Sequence, residues 1–399
     1  ALTNLGSTTA PQHPWITSTE DSEVIFDLGE QRSINLLYYP GQHQRESHFD
    51  VAVSADGERW QTHTALIYQG SLFQWHYLAD TTYNQKNELI YTGPPLALEG
   101  RYVRITAPVS HTTLMEVVLR DAQTKERIQP VPLSGPVAAL LDEQDTLQGE
   151  PTWFNSMYFD EIYHARTAYE HLNAMRGLEP SATYETSHPP LGKVLMSFSV
   201  MIFGMTPFGW RFAGALAGVL MLPGLYLMGK LLTRRRLLAA LAMLLLAFDT
   251  MHFAQTRIAT IDSFVTLFII WSYYFMFRYA LDEEGFAGGQ GRDLVNLGLS
   301  GLFMGLGIAS KWTGFYAGAG LAVIFFWALW RRAQQGIAAR ALIDSEADIP
   351  HDRMAAVQAS AWHWPWRALR TLLSCVLFFI AVPAVIYYVS FLPWFMRTP

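Results

Sequence analysis

Residues 159 to 193 read FDEIYHARTAYEHLNAMRGLEPSATYETSHPPLGK, a polar, charged stretch standing directly before a series of apolar segments that runs to the end of the sequence. The adjacent carboxylates Asp160 and Glu161 lie at one end, and a rigid Pro189-Pro190 turn leading to Lys193 lies at the other. A base and an anion holder beside membrane-grade sequence make this stretch the expected seat of chemistry, and the fold is read outward from it.

Downstream, six segments are long and apolar enough to span a bilayer, which takes about 20 residues: 211 to 231, 237 to 253, 262 to 280, 294 to 309, 312 to 330 and 369 to 391. The run from Val194 to Met205 is too short to span and reads as an interfacial or re-entrant helix. Gly301, Gly305 and Gly307, then Gly314, Gly318 and Gly320, recur at the spacing that lets helices approach closely. Arg234-Arg235-Arg236, Arg278 with Arg292, and Arg331-Arg332 with Arg340, Arg353, Arg367 and Arg370 fall in alternate connections. These should be cytoplasmic, because clustered Lys and Arg are retained on that side. The 159 to 193 stretch and everything before it then fall outside. An outside domain followed by an inward span implies an earlier anchor or signal, and further chain is expected after Pro399.

Upstream, the composition changes. The whole chain is 51% hydrophobic and only 16% charged, too apolar for an ordinary soluble protein of this size, yet residues 20 to 120 alternate apolar with polar positions and end their runs in turn residues such as Asp56-Gly57. This predicts an antiparallel β-sandwich over residues 1–126. Residues 127–150, with Pro130, Pro132, Pro136 and several acids, read as a linker. Residues 151–210 are expected to form an outer catalytic loop with the interfacial helix, and 211–399 the membrane region. A net charge of -6 argues against a nucleic-acid partner, and the single Cys375 excludes an intrachain disulfide.

An ionised group inside the bilayer costs about 2.5 to 3.5 kcal/mol even on lenient scales, so charges kept at span ends invite a functional reading, and Asp160, Glu161, Lys193, Arg211, Arg257, Asp262 and Lys311 all map to the same outer interface. The cations suit a lipid phosphate, through charge-assisted hydrogen bonds, and either carboxylate suits a general base. Plainer readings stand beside these. Arg257 and Asp262 could pair across a turn, Arg211, Lys193 and Lys311 could reach to headgroups, the acids could serve a helix N-terminus, and Pro189-Pro190 could be only a rigid turn into a helix. His164 follows Asp160 by four and Glu161 by three, which is metal-ligand spacing, but one histidine is weak support and no metal is assigned.

Two resemblances add to this reading. DLGEQRSINLLYYPG, FDVAVSADGERW, RYVRITA and LMEVVL, within residues 5 to 125, resemble the discoidin (coagulation factor 5/8 type C) family, which implies a jelly-roll, galactose-binding-like fold and a possible glycan ligand. FDEIYHARTAYEHL, HPPLGKVL, PFGWRFAGALAG, QTRIATIDSF and ASKWTGF, across residues 150 to 395, resemble the protein O-mannosyltransferases, glycosyltransferase family 39, of GT-C fold. That resemblance implies an inverting transfer of mannose from a polyprenyl phosphate to protein Ser or Thr hydroxyls, with no obligatory cofactor; the β domain joined ahead of Asp160 departs from the eukaryotic members and points to a prokaryotic plasma membrane, and the charge pattern puts the site extracytoplasmic. The resemblance implies Asp160 as base with Glu161 beside it, His188, Lys193, Arg211, Arg257 and Lys311 at the donor phosphate, and Asp262, Pro189 and Pro190 in support. Partners are then the lipid-phosphate donor, an acceptor protein and membrane lipids. Related enzymes that move another lipid-linked sugar onto a lipid or envelope polymer, a glycan receptor and a transporter are the competing readings. The transporter would want charges at mid-bilayer.

Overall fold

The computed structural model describes residues 5–17, 22–41, 47–67, 74–83, 89–107, 113–135, 138–178, 183–282, 290–345 and 351–396. The chain divides into two compact units, residues 1–162 with 205–207, and residues 163–204 with 208–399.

The first unit is antiparallel β. Its described strands are β1 (Trp15–Ile16), β2 (Ser22–Pro40), β3 (Ser47–Ser54), β4 (Gln61–Ile67), β5 (His76–Tyr77), β6 (Ala79–Tyr83), β7 (Leu89–Pro95), β8 (Leu98–Ala107), β9 (Thr113–Asp121), β10 (Arg127–Ile128) and β11 (Val131–Ser134). β6 and β7 form a separate pair, and the others join in one sheet ordered β1-β9-β2-β8-β3-β4 with β5, β10 and β11 at its sides. The long β2 pairs with β8 through its first half and with β9 through its second, shifting register between Asp27 and Arg32. Gly29 supplies the positive φ of 83° needed there, and Asp27 anchors the bend by accepting from the Gly29 amide and from both arms of Arg101. Successive side chains of a strand face opposite ways. Ile34, Leu36 and Tyr38 therefore enter one apolar cluster while Leu37 and Tyr39 enter another, and β9 divides its side chains likewise.

The expected linker is part of this unit. β10 pairs with β9 and β11 with β2, Leu140 and Leu147 are fully buried in the two clusters, and the Glu143 carboxylate accepts the backbone amides of Gln12 and His13 at 2.6 Å each. Leu140 and Leu147, seven residues apart among prolines and acids, show no sustained strand or helix periodicity, so the sequence pattern conceals this anchoring.

The helices are α1 (Glu161–Met175), α2 (Leu191–Phe203), α3 (Pro207–Thr233), α4 (Arg236–Ala247), α5 (Thr250–Thr256), α6 (Asp262–Ala280), α7 (Gln290–Ser310), α8 (Thr313–Asp344), α9 (His351–Val376), α10 (Val382–Ser390) and α11 (Leu392–Phe395), with a π-helical turn at Leu377–Ala381 joining α9 to α10. Four described helical stretches are long and apolar enough to cross a membrane: α3, Gly291–Ser310, α8, and Met354–Ser390. The pair α4 and α5, bent by 59°, would make a fifth. α6 is long enough but, with Asp262 and Arg278 near its ends and Ser263, Trp271, Ser272, Tyr273 and Tyr274 between them, it is not in that set, against the expected six. Its surroundings explain the tolerance. α6 packs on α7 and α8, many of its side chains are buried, and the Ser272 hydroxyl donates to the Ser300 carbonyl, so its polar groups are met by protein rather than by lipid. The glycine pattern does place helices in close contact. A Cβ on Gly305 would lie 2.9 Å from Pro383, and one on Gly314 would lie 2.7 Å from the Gly307 backbone.

Candidate active site

The two adjacent carboxylates have different environments. Glu161 opens α1 and is wholly buried. Its carboxylate accepts the Tyr158 amide at 2.8 Å while its own amide donates to the Tyr158 carbonyl, a reciprocal cap that satisfies groups the helix start leaves open. Asp160 stands one residue outside the helix and is part-exposed. The residue before it, Phe159, holds a left-handed backbone, φ 53°, an uncommon state for a bulky residue that is typically retained where the surrounding structure demands it.

One face of α1, Tyr163, Arg166, Thr167 and Glu170, is spaced i, i+3, i+4 and i+7 and fixes the chain that returns toward α2. Tyr163 stacks on Tyr184 with centroids 5.7 Å apart, the Arg166 guanidinium lies over the same Tyr184 ring and pairs with Glu170 at 3.2 Å, Glu170 accepts the Tyr184 amide, and the Thr167 hydroxyl accepts the Glu185 amide. Glu185 is thereby seated beneath the Pro-Pro turn.

Around Glu185 four groups converge. Its carboxylate accepts the Ser187 amide at 2.6 Å, the His188 amide at 3.1 Å and the His188 ring Nδ1 at 3.2 Å, and it pairs with the Lys193 ammonium. Lys193 is 1% exposed and also donates to the carbonyls of His188 and Glu185. Burial alone would raise the Glu185 pKa, but the hydrogen bonds and charges of Lys193 and His188 hold it down at about 2. Pro189 and Pro190 are buried and His188 is part-exposed. His164, on α1, meets the His188 ring edge-on with centroids 5.8 Å apart. Burial pushes its imidazole down to about 4, with the Lys193 charge adding to the shift, and its Nδ1 is buried with no hydrogen-bond partner among the described residues.

A second ion pair adjoins these groups. Lys311, in the turn between α7 and α8, donates to the Asp262 carboxylate at 2.7 Å, and the Asp262 charge acts on His164. Close approach is made possible by glycine. A Cβ on Gly192 would meet Ile261, the residue before Asp262, at 2.9 Å, and one on Gly218 would overlap Thr256, so α2 and α3 lie directly against the turn that holds Arg257. Arg257 is exposed with its guanidinium 4.6 Å from the Phe253 ring centroid, and Arg211 is part-exposed near the start of α3. The structure therefore gathers His188, Lys193, Asp262 and Lys311 of the expected residues, adds His164 and Glu185, and places Arg211 and Arg257 at neighbouring helix ends.

Residues 200–398 match the family of dolichyl-phosphate-mannose-protein mannosyltransferases. Among curated relatives, a polyprenol-phosphate-mannose–protein mannosyltransferase of Mycolicibacterium smegmatis is 28% identical over 264 residues, covering 62% of this chain and 46% of its own length. Its counterpart in Mycobacterium tuberculosis is 29% identical over 260 residues, covering 59% and 44%. The chain thus spans about half the length of the curated relatives it matches. A solved structure, the S. cerevisiae protein O-mannosyltransferase Pmt1-Pmt2 complex bound to the sugar donor, overlaps 62% of this chain and 31% of its own at 19% identity and a TM-score of 0.46.

Sequence reasoning passed over Glu185. Its signal appears only once Lys193 is seen to be buried, since a buried lysine needs a counter-charge and the acids between Glu170 and Lys193 are Glu179 and Glu185.

Proposed function

We propose that this protein transfers mannose from a polyprenyl-phosphate donor to Ser or Thr hydroxyls of proteins at the outer face of a membrane, with all six apolar segments spanning and the β unit extracytoplasmic. The observation that carries the reading is the match of residues 200–398 to the mannosyltransferase family, joined to a cluster of cations and carboxylates at the ends of apolar helices. Asp160 takes the acceptor hydroxyl proton. The oxygen attacks the anomeric carbon from the face opposite the phosphate, the carbon–oxygen bond to phosphate breaks, and the polyprenyl phosphate leaves as an anion. His188, Arg211, Arg257 and Lys311 hold that phosphate, and Asp262 orients Lys311. Glu161, spent on the cap, holds the α1 start on which Asp160 sits. The donor is already activated by its phosphate, so the step as written calls on no further cofactor. The β unit, discoidin-like in its motifs, is the region for a glycan ligand.

The test is transfer in membranes containing the full chain, a polyprenyl-phosphate mannose and a Ser/Thr peptide. Asp160→Asn should lower the rate by about 10² to 10⁴, the usual contribution of a general base. Undiminished transfer by the variant overturns the base assignment, and a wild-type protein that yields no mannosyl peptide overturns the acceptor or the sugar.

A further inference from the structure

We infer that Glu185 is a positioning residue of the donor site, setting the His188 ring for the lipid phosphate, and that Lys193 is the counter-ion of Glu185 rather than a phosphate ligand. This rests on the proposed transfer from a polyprenyl phosphate.

The geometry of one carboxylate carries the inference. Its Oε1 meets the Ser187 amide, the His188 amide and the His188 Nδ1, and its Oε2 meets Lys193. An ionised carboxylate only accepts hydrogen bonds, so Nδ1 carries the proton. Nε2 is then the ring nitrogen available to a ligand, on a side chain that is 38% exposed. When the ring is doubly protonated, Nε2–H donates to a phosphate oxygen with the Glu185 charge behind it, the ring being oriented by its carboxylate as metal-ligating histidines are. The turn is held at the same time, because two of its amides end on Glu185 and its His188 carbonyl ends on Lys193. Lys193 spends its three donors on the Glu185 carboxylate, the Glu185 carbonyl and the His188 carbonyl. An ammonium has only three, so none is left for a substrate at 1% exposure.

The experiment measures steady-state transfer and, separately, direct binding of a short-chain polyprenyl phosphate to the full chain in nanodiscs. Glu185→Gln should raise the donor KM and weaken phosphate binding about tenfold, the loss of one charge-assisted hydrogen bond, with kcat and acceptor KM unmoved. Since Glu185→Gln leaves the Lys193 charge buried, Glu185→Gln with Lys193→Met keeps the site foldable and should show the same donor KM, whereas Glu185→Asp should recover part of it. In a His188→Ala background Glu185→Gln should add under about twofold, because residues acting through one another are not additive. Additive effects, or a fall in kcat at unchanged donor KM, overturn the positioning role. Wild-type protein that binds the phosphate in this pattern but transfers no mannose overturns the proposed activity and leaves the positioning intact. Wild-type protein that binds no polyprenyl phosphate overturns the inference itself.

Discussion

Two buried ion pairs of the helical unit differ in what they leave over. Arg332 on α8 gives both terminal nitrogens to Asp293 of α7, donates also to the Tyr279 carbonyl and lies 4.1 Å from the Tyr279 ring centroid, with side-chain exposures of 0% and 5% for the pair. Glu185 and Lys193 are almost as buried, yet their network ends on the part-exposed His188 ring and adjoins His164 and the more open Asp262–Lys311 pair. Asp293 and Lys311 are separated by most of α7, about 27 Å at 1.5 Å per residue. A closed pair fixes helices against one another. One that ends on a group reaching solvent can hold that group for chemistry.

The comparison is broken most severely at its closed member. Asp293→Ala strands a buried guanidinium and should cost about 3 to 5 kcal/mol of stability, read as a large drop in the thermal midpoint of the detergent-solubilised protein. Arg332→Met with Asp293→Leu should recover most of that loss, since well-packed apolar replacements of a buried pair are often neutral. Transfer per folded molecule should stay as in wild type. A stable Asp293→Ala protein with impaired transfer would mean that the two clusters have the roles opposite to those assigned.

The sequence showed which residues belong at helix ends but not how they pair. His188, Lys193, Asp262 and Lys311 stand out as charges beside apolar runs, and the structure gathers them. Glu185 lacks that signature because it sits in a polar loop, where an acid needs no explanation until the lysine eight residues on proves to be buried. Glu161 was indistinguishable from Asp160 in the sequence, since a cap depends on the turn made by Phe159 and not on composition. The six expected spans and the composition of the described helices part at α6 for a related reason. Its length suits a bilayer, and the cover that α7 and α8 give its polar residues is not written in its own sequence.

An intermediate effect sharpens the open member. His164 is neutral in the fold with its pKa near 4, against about 6.5 in an unfolded chain. Below pH 6.5 the unfolded chain binds a proton that the folded chain does not, so stability falls as pH drops from about 6.5 to about 4 and the effect is complete below that. The slope reaches at most about 1.4 kcal/mol per pH unit. His164→Gln, which cannot take the proton, should flatten the pH dependence of the thermal midpoint across this window, although Lys193, Glu185, His188 and Asp262 still surround the position. An unchanged slope would show that the acid sensitivity belongs to another group.

The smallest effect on stability is expected at Lys311 and Asp262. Their side chains are 24% and 43% exposed, and an exposed pair contributes about 0 to 1 kcal/mol, so Lys311→Met should move the thermal midpoint little. Its effect on transfer should be out of proportion to that. A cation lost from a phosphate removes a charge-assisted hydrogen bond worth about 1.5 to 3 kcal/mol, which lowers kcat/KM about ten- to a hundredfold. Asp262→Asn keeps the lysine but loosens its orientation and should lie between Lys311→Met and wild type. The contrast with Asp293→Ala is the point of measurement, because one variant should lose its fold with its chemistry spared and the other its chemistry with its fold spared. If Lys311→Met instead unfolds the protein, the Asp262–Lys311 pair is a second structural clamp, and the phosphate must be held by His188, Arg211 and Arg257 alone.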